Sequence, residues 1–150
     1  MCKPVRKSGF TLIEILVVVA LIAILTAITF IAINPAKNFA DTRNAQRSSD
    51  VTQILNAVTQ YTAEQGHALA DIGTIALCSG TPDQIGTGTG NVDLSTLLVD
   101  TYIVGIPQDP LTGSAADTHY TICQTLASGV GRIQIDAPDA ENSKVITVKR

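Results

Sequence analysis

The first part of the chain contains one long apolar segment with a single charge. Residues 10–33 read FTLIEILVVVALIAILTAITFIAI, and Glu14 is the one ionisable residue among them. At about 1.5 Å per residue, a helix of this length reaches about 36 Å, which is enough to cross a bilayer. The pattern therefore predicts a membrane-spanning helix over residues 10–34.

The hydrophobic pattern then changes to one apolar residue every three or four positions, which predicts an amphipathic helix over residues 35–66. Asn34-Pro35 is typical either of a helix start or of a kink in a continuing helix, and Gly66 is typical of a C-terminal cap. We expect one long helix from Phe10 to about Gln65. The apolar stripe consists of Val51, Ile54, Leu55, Val58 and Tyr61. The charges near it are expected to form a solvated face: Asp41, Arg43, Arg47 and Asp50.

Residues 67–150 have the pattern of a globular unit of mixed structure. The Gly- and Thr-rich residues 66–96 predict a loop with one short strand or turn of helix, and Asp93 is the predicted N-cap of a short helix over residues 93–98. A strand signal follows at 102–106, and alternation at 119–126, 132–135 and 144–148 predicts three antiparallel strands. We expect an α+β fold in which a long N-terminal helix packs against this small sheet.

Composition and charge narrow the range of functions. The 150 residues carry a net charge of −3, aromatic residues make up 4%, and Trp is absent. The chain therefore has neither the basic footprint nor the stacking aromatics of a nucleic-acid-binding protein. A local basic patch for DNA has four candidate residues: Arg132, Lys144, Lys149 and Arg150.

The N-terminus predicts how the apolar helix is oriented. Lys3, Arg6 and Lys7 precede it without an acid, so the N-terminus is expected to stay in the cytoplasm. A cleaved secretory signal has a shorter apolar region of about 7–15 residues. A plain membrane anchor does not explain Glu14, because a charge there costs about 2.5–3.5 kcal/mol on insertion scales. Glu14 either reaches the membrane surface or awaits a positive partner from another chain.

The segment from Lys7 to Glu14, KSGFTLIE, resembles the processing site of type IV prepilins and type II secretion pseudopilins. The resemblance implies a leader of residues 1–9, which a prepilin peptidase removes between Gly9 and Phe10. The enzyme then methylates the new α-amine of Phe10, and Glu14 becomes the acid that the family uses in assembly. A looser similarity to major pseudopilins covers Pro107, Asp109, Pro110, Gly113 and Tyr120.

The resemblance implies a structural subunit of a type IV pilus-like filament. The expected partners are copies of the chain, the prepilin peptidase, an assembly platform in the cytoplasmic membrane and membrane lipid. The subunit is expected to start as a single-pass protein of the cytoplasmic membrane and to end in an extracellular or periplasmic filament. A major pseudopilin is the alternative within the family. A single-pass anchored binding domain is the alternative from another class.

Few residues suggest further chemistry. Cys78 and Cys123 lie beyond the membrane segment, where they form a disulfide or remain two buried thiols; Cys2 leaves with the leader. His67 and His119 have no catalytic partner at a known spacing, and no GxSxG motif is present, so we expect no enzyme. Gly86–Gly90 lacks the GK[ST] ending of a phosphate loop.

Calcium is the one cofactor that the resemblance suggests, because some pseudopilins bind it in C-terminal loops. Calcium needs about 6–8 converging oxygens, and the chain has no Asp-rich calcium-loop spacing. Solvated turn acids are the alternative. The candidate ligands are Asp109, Asp117, Asp136, Asp139 and Glu141.

Overall fold

Two helices form the N-terminal part of the chain, and Asn34 separates them. In the computed structural model, which describes residues 9–126 and 131–150, α1 spans Leu12–Ile33 and α2 spans Pro35–Ala63. The expectation of one continuous helix is therefore wrong at Asn34. The predicted leader lies outside the described residues, except for Gly9.

Asn34 ends one helix and starts the next. Its backbone is left-handed, with φ 42° and ψ 76°, a conformation that asparagine tolerates better than most residues. Its Oδ1 accepts a hydrogen bond from the Lys37 backbone N–H at 3.3 Å. Pro35 occupies the first helical position, where an N–H has no helical partner in any case. Of the two interpretations of Asn34-Pro35, the helix start is confirmed.

The chain divides into two units, Met1–Asn38 and Phe39–Arg150. In the first, every side chain from Leu12 to Ala32 is exposed. These 21 residues are long and apolar enough to span a membrane. The apolar side chains of α1 therefore find no cover within their own unit.

The second unit contains a four-stranded antiparallel sheet in the order β1-β2-β3-β4. The strands are β1 (Asp83–Gln84), β2 (Thr121–Gln124), β3 (Ile133–Asp136) and β4 (Thr147–Lys149). The register pairs Ile122 with Ile135, and Ile135 with Val148. The last three strands confirm the sheet predicted from alternation, and β1 is a short strand within residues 66–96, where one short strand or turn of helix was expected.

The core of this unit lies between the sheet and one face of α2. All five residues of the predicted stripe are buried, and Val51 and Ile54 are fully inaccessible. From the strands, alternation brings Ile122, Ile133 and Ile135 into the same core. The α+β prediction is confirmed, because an amphipathic helix and a one-sided sheet each cover the other's apolar face.

The connection between α2 and β2 differs in detail from its prediction. It contains a 3₁₀ helix at Leu69–Ile72 and a single helical turn, α3, at Ser95–Leu98. The strand signal at 102–106 is wrong: the Tyr102 and Ile103 N–H groups both donate to Leu98 O and wrap the end of α3. The prediction of Asp93 as the N-cap is wrong by one residue, because the N-cap is Leu94; Asp93 still accepts a hydrogen bond from Ser95 N at 2.9 Å.

Candidate functional site

The N-terminal site consists of Gly9, Phe10, Thr11 and Glu14 at the start of α1. Phe10 is 81% exposed, and Thr11 is the N-cap of α1. Thr11 Oγ1 accepts a hydrogen bond from Glu14 N at 3.2 Å, and Glu14 Oε2 accepts one from Thr11 N at 3.4 Å. This reciprocal pair is a capping box. The helix therefore starts immediately after the Gly9–Phe10 bond, and that bond lies in non-helical, exposed chain.

Glu14 has no cationic partner among the described residues. Its carboxylate contacts only the first turn of its own helix, and the positive end of the helix dipole stabilises a carboxylate there by about 0.3–1 kcal/mol. That is less than the insertion cost of a charge within lipid. A cation supplied from outside the subunit therefore adds stabilisation that α1 itself does not provide.

Three of the four charges expected on a solvated face, Arg43, Arg47 and Asp50, are buried or half-buried, which corrects the expectation; Asp41 is exposed as expected. Arg47 is 1% exposed; its Nε donates to Asp109 Oδ2 at 2.5 Å, and its Nη1 donates to Glu141 Oε2 at 2.9 Å. Arg43 donates to both carboxylate oxygens of Glu141 at 2.5 and 2.6 Å. Two arginines one helical turn apart therefore tie α2 to Glu141, which lies more than 90 positions away in the sequence, and Arg47 also ties it to Asp109.

The two carboxylates of this cluster stay ionised. Burial alone raises the pKa of Asp109, but the hydrogen bonds from Arg47 and from the Leu111 and Thr112 N–H groups lower it to about 2. Hydrogen bonds from Arg43, and then from Arg47, lower the pKa of Glu141 to about 2. The pKa of Arg47 rises, chiefly through its hydrogen bond to Asp109. The cluster is therefore a charged, fully paired network at neutral pH.

A second buried contact joins α2 to Tyr120, the residue immediately before β2. Asp50 is 2% exposed; its carboxylate accepts hydrogen bonds from Tyr120 Oη at 2.8 Å and from Gln46 Nε2 at 2.9 Å. Burial raises the pKa of Asp50, and the two hydrogen bonds oppose that rise. Burial, and then the contact with Asp50, raise the pKa of Tyr120. The phenol therefore remains a proton donor to the carboxylate.

The turn at residues 107–113 fixes the position of the Asp109 carboxylate. Asp109 Oδ1 accepts hydrogen bonds from Leu111 N at 2.9 Å and Thr112 N at 3.2 Å, which closes an Asx turn. At Gly113 an added Cβ would lie 2.3 Å from Asp109 N, so the position excludes any side chain. The Asp-Pro-x-x-Gly pattern at residues 109–113 thus forms the turn that places the Asp109 carboxylate against Arg47.

The calcium candidates do not converge. Among the residues that the structure describes, no group of three His, Cys, Asp or Glu side chains is placed to hold a metal ion. Asp109 and Glu141 are occupied by arginines, and Asp139 accepts from His119 and Thr112. Asp117 accepts from His119 N, and Asp136 accepts from Gln134. Each candidate acid therefore accepts at least one hydrogen bond from another residue of the chain.

The structure contains a disulfide between Cys78 and Cys123, with Cα atoms 5.0 Å apart. Backbone hydrogen bonds reinforce it, because Cys78 N donates to Gln124 O and Gln124 N donates to Ala76 O, both at 2.9 Å. The bond ties the loop of residues 66–96 to β2. In the chain-entropy model, closing a 45-residue separation contributes about 4 kcal/mol.

The histidines occupy surface positions. His119 Nδ1 lies 2.8 Å from Asp139 Oδ2, and both side chains are more than a third exposed. The His67 ring stacks on Tyr61 with a centroid distance of 4.3 Å. Neither ring has a nucleophilic side chain among its contacts in the described residues.

Comparison with known proteins places the N-terminal site in a family context. The family model for the prokaryotic N-terminal methylation motif matches residues 5–30, which include Gly9, Phe10, Glu14 and most of α1. No curated protein and no solved structure matches the chain. The motif implies processing by a prepilin peptidase and fits an N-terminal membrane anchor. The chain thus carries the signature of type IV pilin and pseudopilin prepilins.

Proposed function

We propose that the protein is a structural subunit of a type IV pilus-like filament. The observation that carries the proposal is the combination of the methylation motif over residues 5–30 with a helix whose apolar side chains from Leu12 to Ala32 are all exposed. Such a helix is stored in the cytoplasmic membrane before assembly. It is later covered by copies of itself, which are equally apolar.

Processing supplies the cation that Glu14 requires. Cleavage between Gly9 and Phe10 leaves a positively charged α-amine on Phe10, four residues before Glu14. It also removes Lys3, Arg6 and Lys7, so that seven basic residues remain against thirteen acidic ones. In the low dielectric of packed apolar helices, an unpaired charge costs several kcal/mol. Pairing of the methylated amine of one copy with Glu14 of another therefore sets the register of the filament.

The second unit has the properties of a solvent-facing part. It contains its own core, its buried Arg47 is paired, and a disulfide holds the loop of residues 66–96. These features support a body that stays folded outside the membrane while α1 moves from lipid into the fibre. The compartment is the cell exterior or, for a pseudopilus, the periplasm.

The second candidate is a major pseudopilin of a type II secretion system. The Asx turn from Pro107 to Gly113, built around Asp109, favours it, because this segment resembles the corresponding stretch of major pseudopilins. The two candidates share processing and assembly, and they differ in fibre length and in dependence on secretion genes. Fibre length at native expression distinguishes them.

The test is fibre formation by Glu14→Ala in cells that contain the processing and assembly machinery. We expect sheared fibre to fall at least about tenfold, the loss of about 1.4 kcal/mol or more per contact, while the membrane level of the processed subunit is unchanged. Glu64→Ala, which removes an exposed acid outside α1, is the matched control. An anchored binding domain tolerates both changes. Fibres at normal yield from Glu14→Ala contradict the proposed role.

A further inference from the structure

Basic and acidic side chains occupy different parts of the second unit. No Lys or Arg occurs from residue 48 to residue 131, whereas eight acidic residues do. Arg43 and Arg47 are paired with buried or half-buried carboxylates. The remaining basic residues of the unit therefore all belong to its last 19 positions: Arg132, Lys144, Lys149 and Arg150.

Two of these residues lie at the β3–β4 side of the sheet, Arg132 immediately before β3 and Lys149 at the end of the edge strand β4. Lys149 pairs with Gln134 across β3, and Arg132 comes two residues before Gln134. Strand alternation places both on the face opposite to the buried Ile133 and Ile135. Both are exposed, and the ion pairs among the described residues include neither. We refer to Arg132 and Lys149 as the basic edge.

A cleft of about 210 Å³ lies beside β1, at the other end of the strand order. Its walls are mainly apolar, and they include Ile85, Leu94, Ile106 and Ala115. The volume is below the ~300–1,000 Å³ typical of small-molecule sites, and it suits one long side chain. We refer to it as the β1 cleft.

One carboxylate lines the β1 cleft. Asp93 Oδ1 accepts both hydrogen bonds that Ser95 donates, at 2.9 Å from its N–H and 2.5 Å from its hydroxyl. Among the described residues, no hydrogen bond reaches Asp93 Oδ2. An apolar cleft with a carboxylate fits a Lys or Arg side chain, because the methylene stem packs on apolar walls while the charged head reaches the acid.

We propose that the basic edge of one copy docks into the β1 cleft of a second copy, with an aliphatic stem against Leu94 and Ile106 and the cation on Asp93. The inference rests on the proposed filament function. Donor and acceptor lie at opposite edges of one sheet, so the contact is heterologous. A heterologous contact that does not close generates an open helical array, which is the symmetry that a filament requires.

The test is a charge exchange in fibres assembled by cells from the full chain. Arg132→Glu with Lys149→Glu reverses the basic edge, and Asp93→Lys reverses the cleft. We expect each reversal to lower fibre yield about tenfold, in line with the loss of a close charge pair. Combining all three changes restores the yield to within about threefold of wild type, because the contact then forms with opposite polarity. Lys144→Glu, an equal charge change outside the strands, is the control and leaves the yield unchanged.

Two further measurements keep the outcome interpretable. Asp93→Asn removes the charge but keeps an oxygen for Ser95, and fibres made with it lose salt sensitivity that wild-type fibres show. Unfolding followed by tyrosine fluorescence shows whether each variant folds. Normal yield from the reversed basic edge overturns the inference. Reduced yield that the exchange does not restore also overturns it, and indicates that the edge binds another protein or lipid.

Failure of this inference differs from failure of the proposed function. If fibre loss in Glu14→Ala persists while edge and cleft variants assemble normally, the filament function stands and the docking contact is rejected. If the wild-type chain forms no fibres, both are rejected.

Discussion

α1 and α2 are separated by one residue and are both α-helices, yet their side chains have opposite environments. From Leu12 to Ala32 no side chain is buried, whereas α2 buries ten. Helical conformation satisfies the backbone in both segments. The difference shows that the core of the second unit covers one face of α2, whereas the described side chains of α1 have no cover within the subunit.

Charge follows the same division. Arg47, inside the second unit, has two carboxylate partners within 3 Å, whereas Glu14 has no cationic partner in the described part of the chain and contacts the first turn of its own helix. A buried charge is retained only with a partner. The second unit contains that partner within the chain, and the proposed filament obtains it from a neighbouring copy.

The largest expected effect comes from breaking the buried arginine cluster. Arg47→Ala leaves Asp109 buried without its cation, so we expect the free energy of unfolding of the second unit to fall by about 3–5 kcal/mol. All three tyrosines of the chain, Tyr61, Tyr102 and Tyr120, lie in this unit, and their fluorescence in detergent-solubilised protein reports its unfolding. Lys144→Ala, on the surface, is the control and changes stability by less than about 0.5 kcal/mol.

A matched pair of isoleucines tests the comparison of the two helices most simply. Ile54 is fully buried and Ile22 is 56% exposed. We expect Ile54→Ala to lower the free energy of unfolding by about 2–5 kcal/mol, since it leaves a cavity in the core. Ile22→Ala leaves it within about 0.5 kcal/mol. Equal losses in the same fluorescence assay are inconsistent with separate units.

Loss of the disulfide comes next. Replacing Cys78 and Cys123 by serine frees the loop of residues 66–96 from β2. We expect it to lower the free energy of unfolding of the second unit by about 2–4 kcal/mol. Urea unfolding measures the change, and reduction of the wild-type protein by dithiothreitol gives the same shift. An unchanged midpoint in both experiments means that the loop needs no covalent tie.

Acid is expected to weaken the cluster by the smallest amount. Folding lowers the pKa of Asp109 from 3.8 to about 2, and Glu141 shifts in the same direction. A lowered pKa in the folded state stabilises the protein above the unfolded pKa, and this stabilisation disappears as pH falls through the folded pKa. We expect a loss of about 2 kcal/mol from Asp109 between about pH 4.5 and pH 2. Urea titrations across that range measure it, and Asp109→Asn flattens the slope.

The periodicity of apolar residues predicted the two helices and the three longer strands. Residues 10–33 and the stripe from Val51 to Tyr61 identified both helices, and alternation identified β2, β3 and β4. Local chemistry at Asn34-Pro35 offered the helix start as one of two interpretations, but it did not decide between them, and the expectation of a continuous helix was wrong there. The methylation motif was found because a glycine, a phenylalanine and a glutamate occupy fixed positions before and within an apolar run.

The buried charges were not predictable in the same way. Arg43 and Arg47 look like solvated residues until Asp109 and Glu141, 62 and 94 positions beyond Arg47, are known to fold against them. One signal was available: Arg47, Asp50, Ile54 and Tyr61 recur at helical spacing and share a face. The two-residue β1 and the β1 cleft arise from loop packing that no local pattern encodes.

The central claim is that Phe10 becomes the N-terminus of a subunit that assembles through α1. The most direct test is the intact mass and the N-terminal fragment of the protein recovered from membranes of cells with an active prepilin peptidase. We expect loss of residues 1–9 and one methyl group on the Phe10 amine. An intact Met1 terminus in those cells contradicts the claim, and it leaves a folded domain on a single-pass anchor.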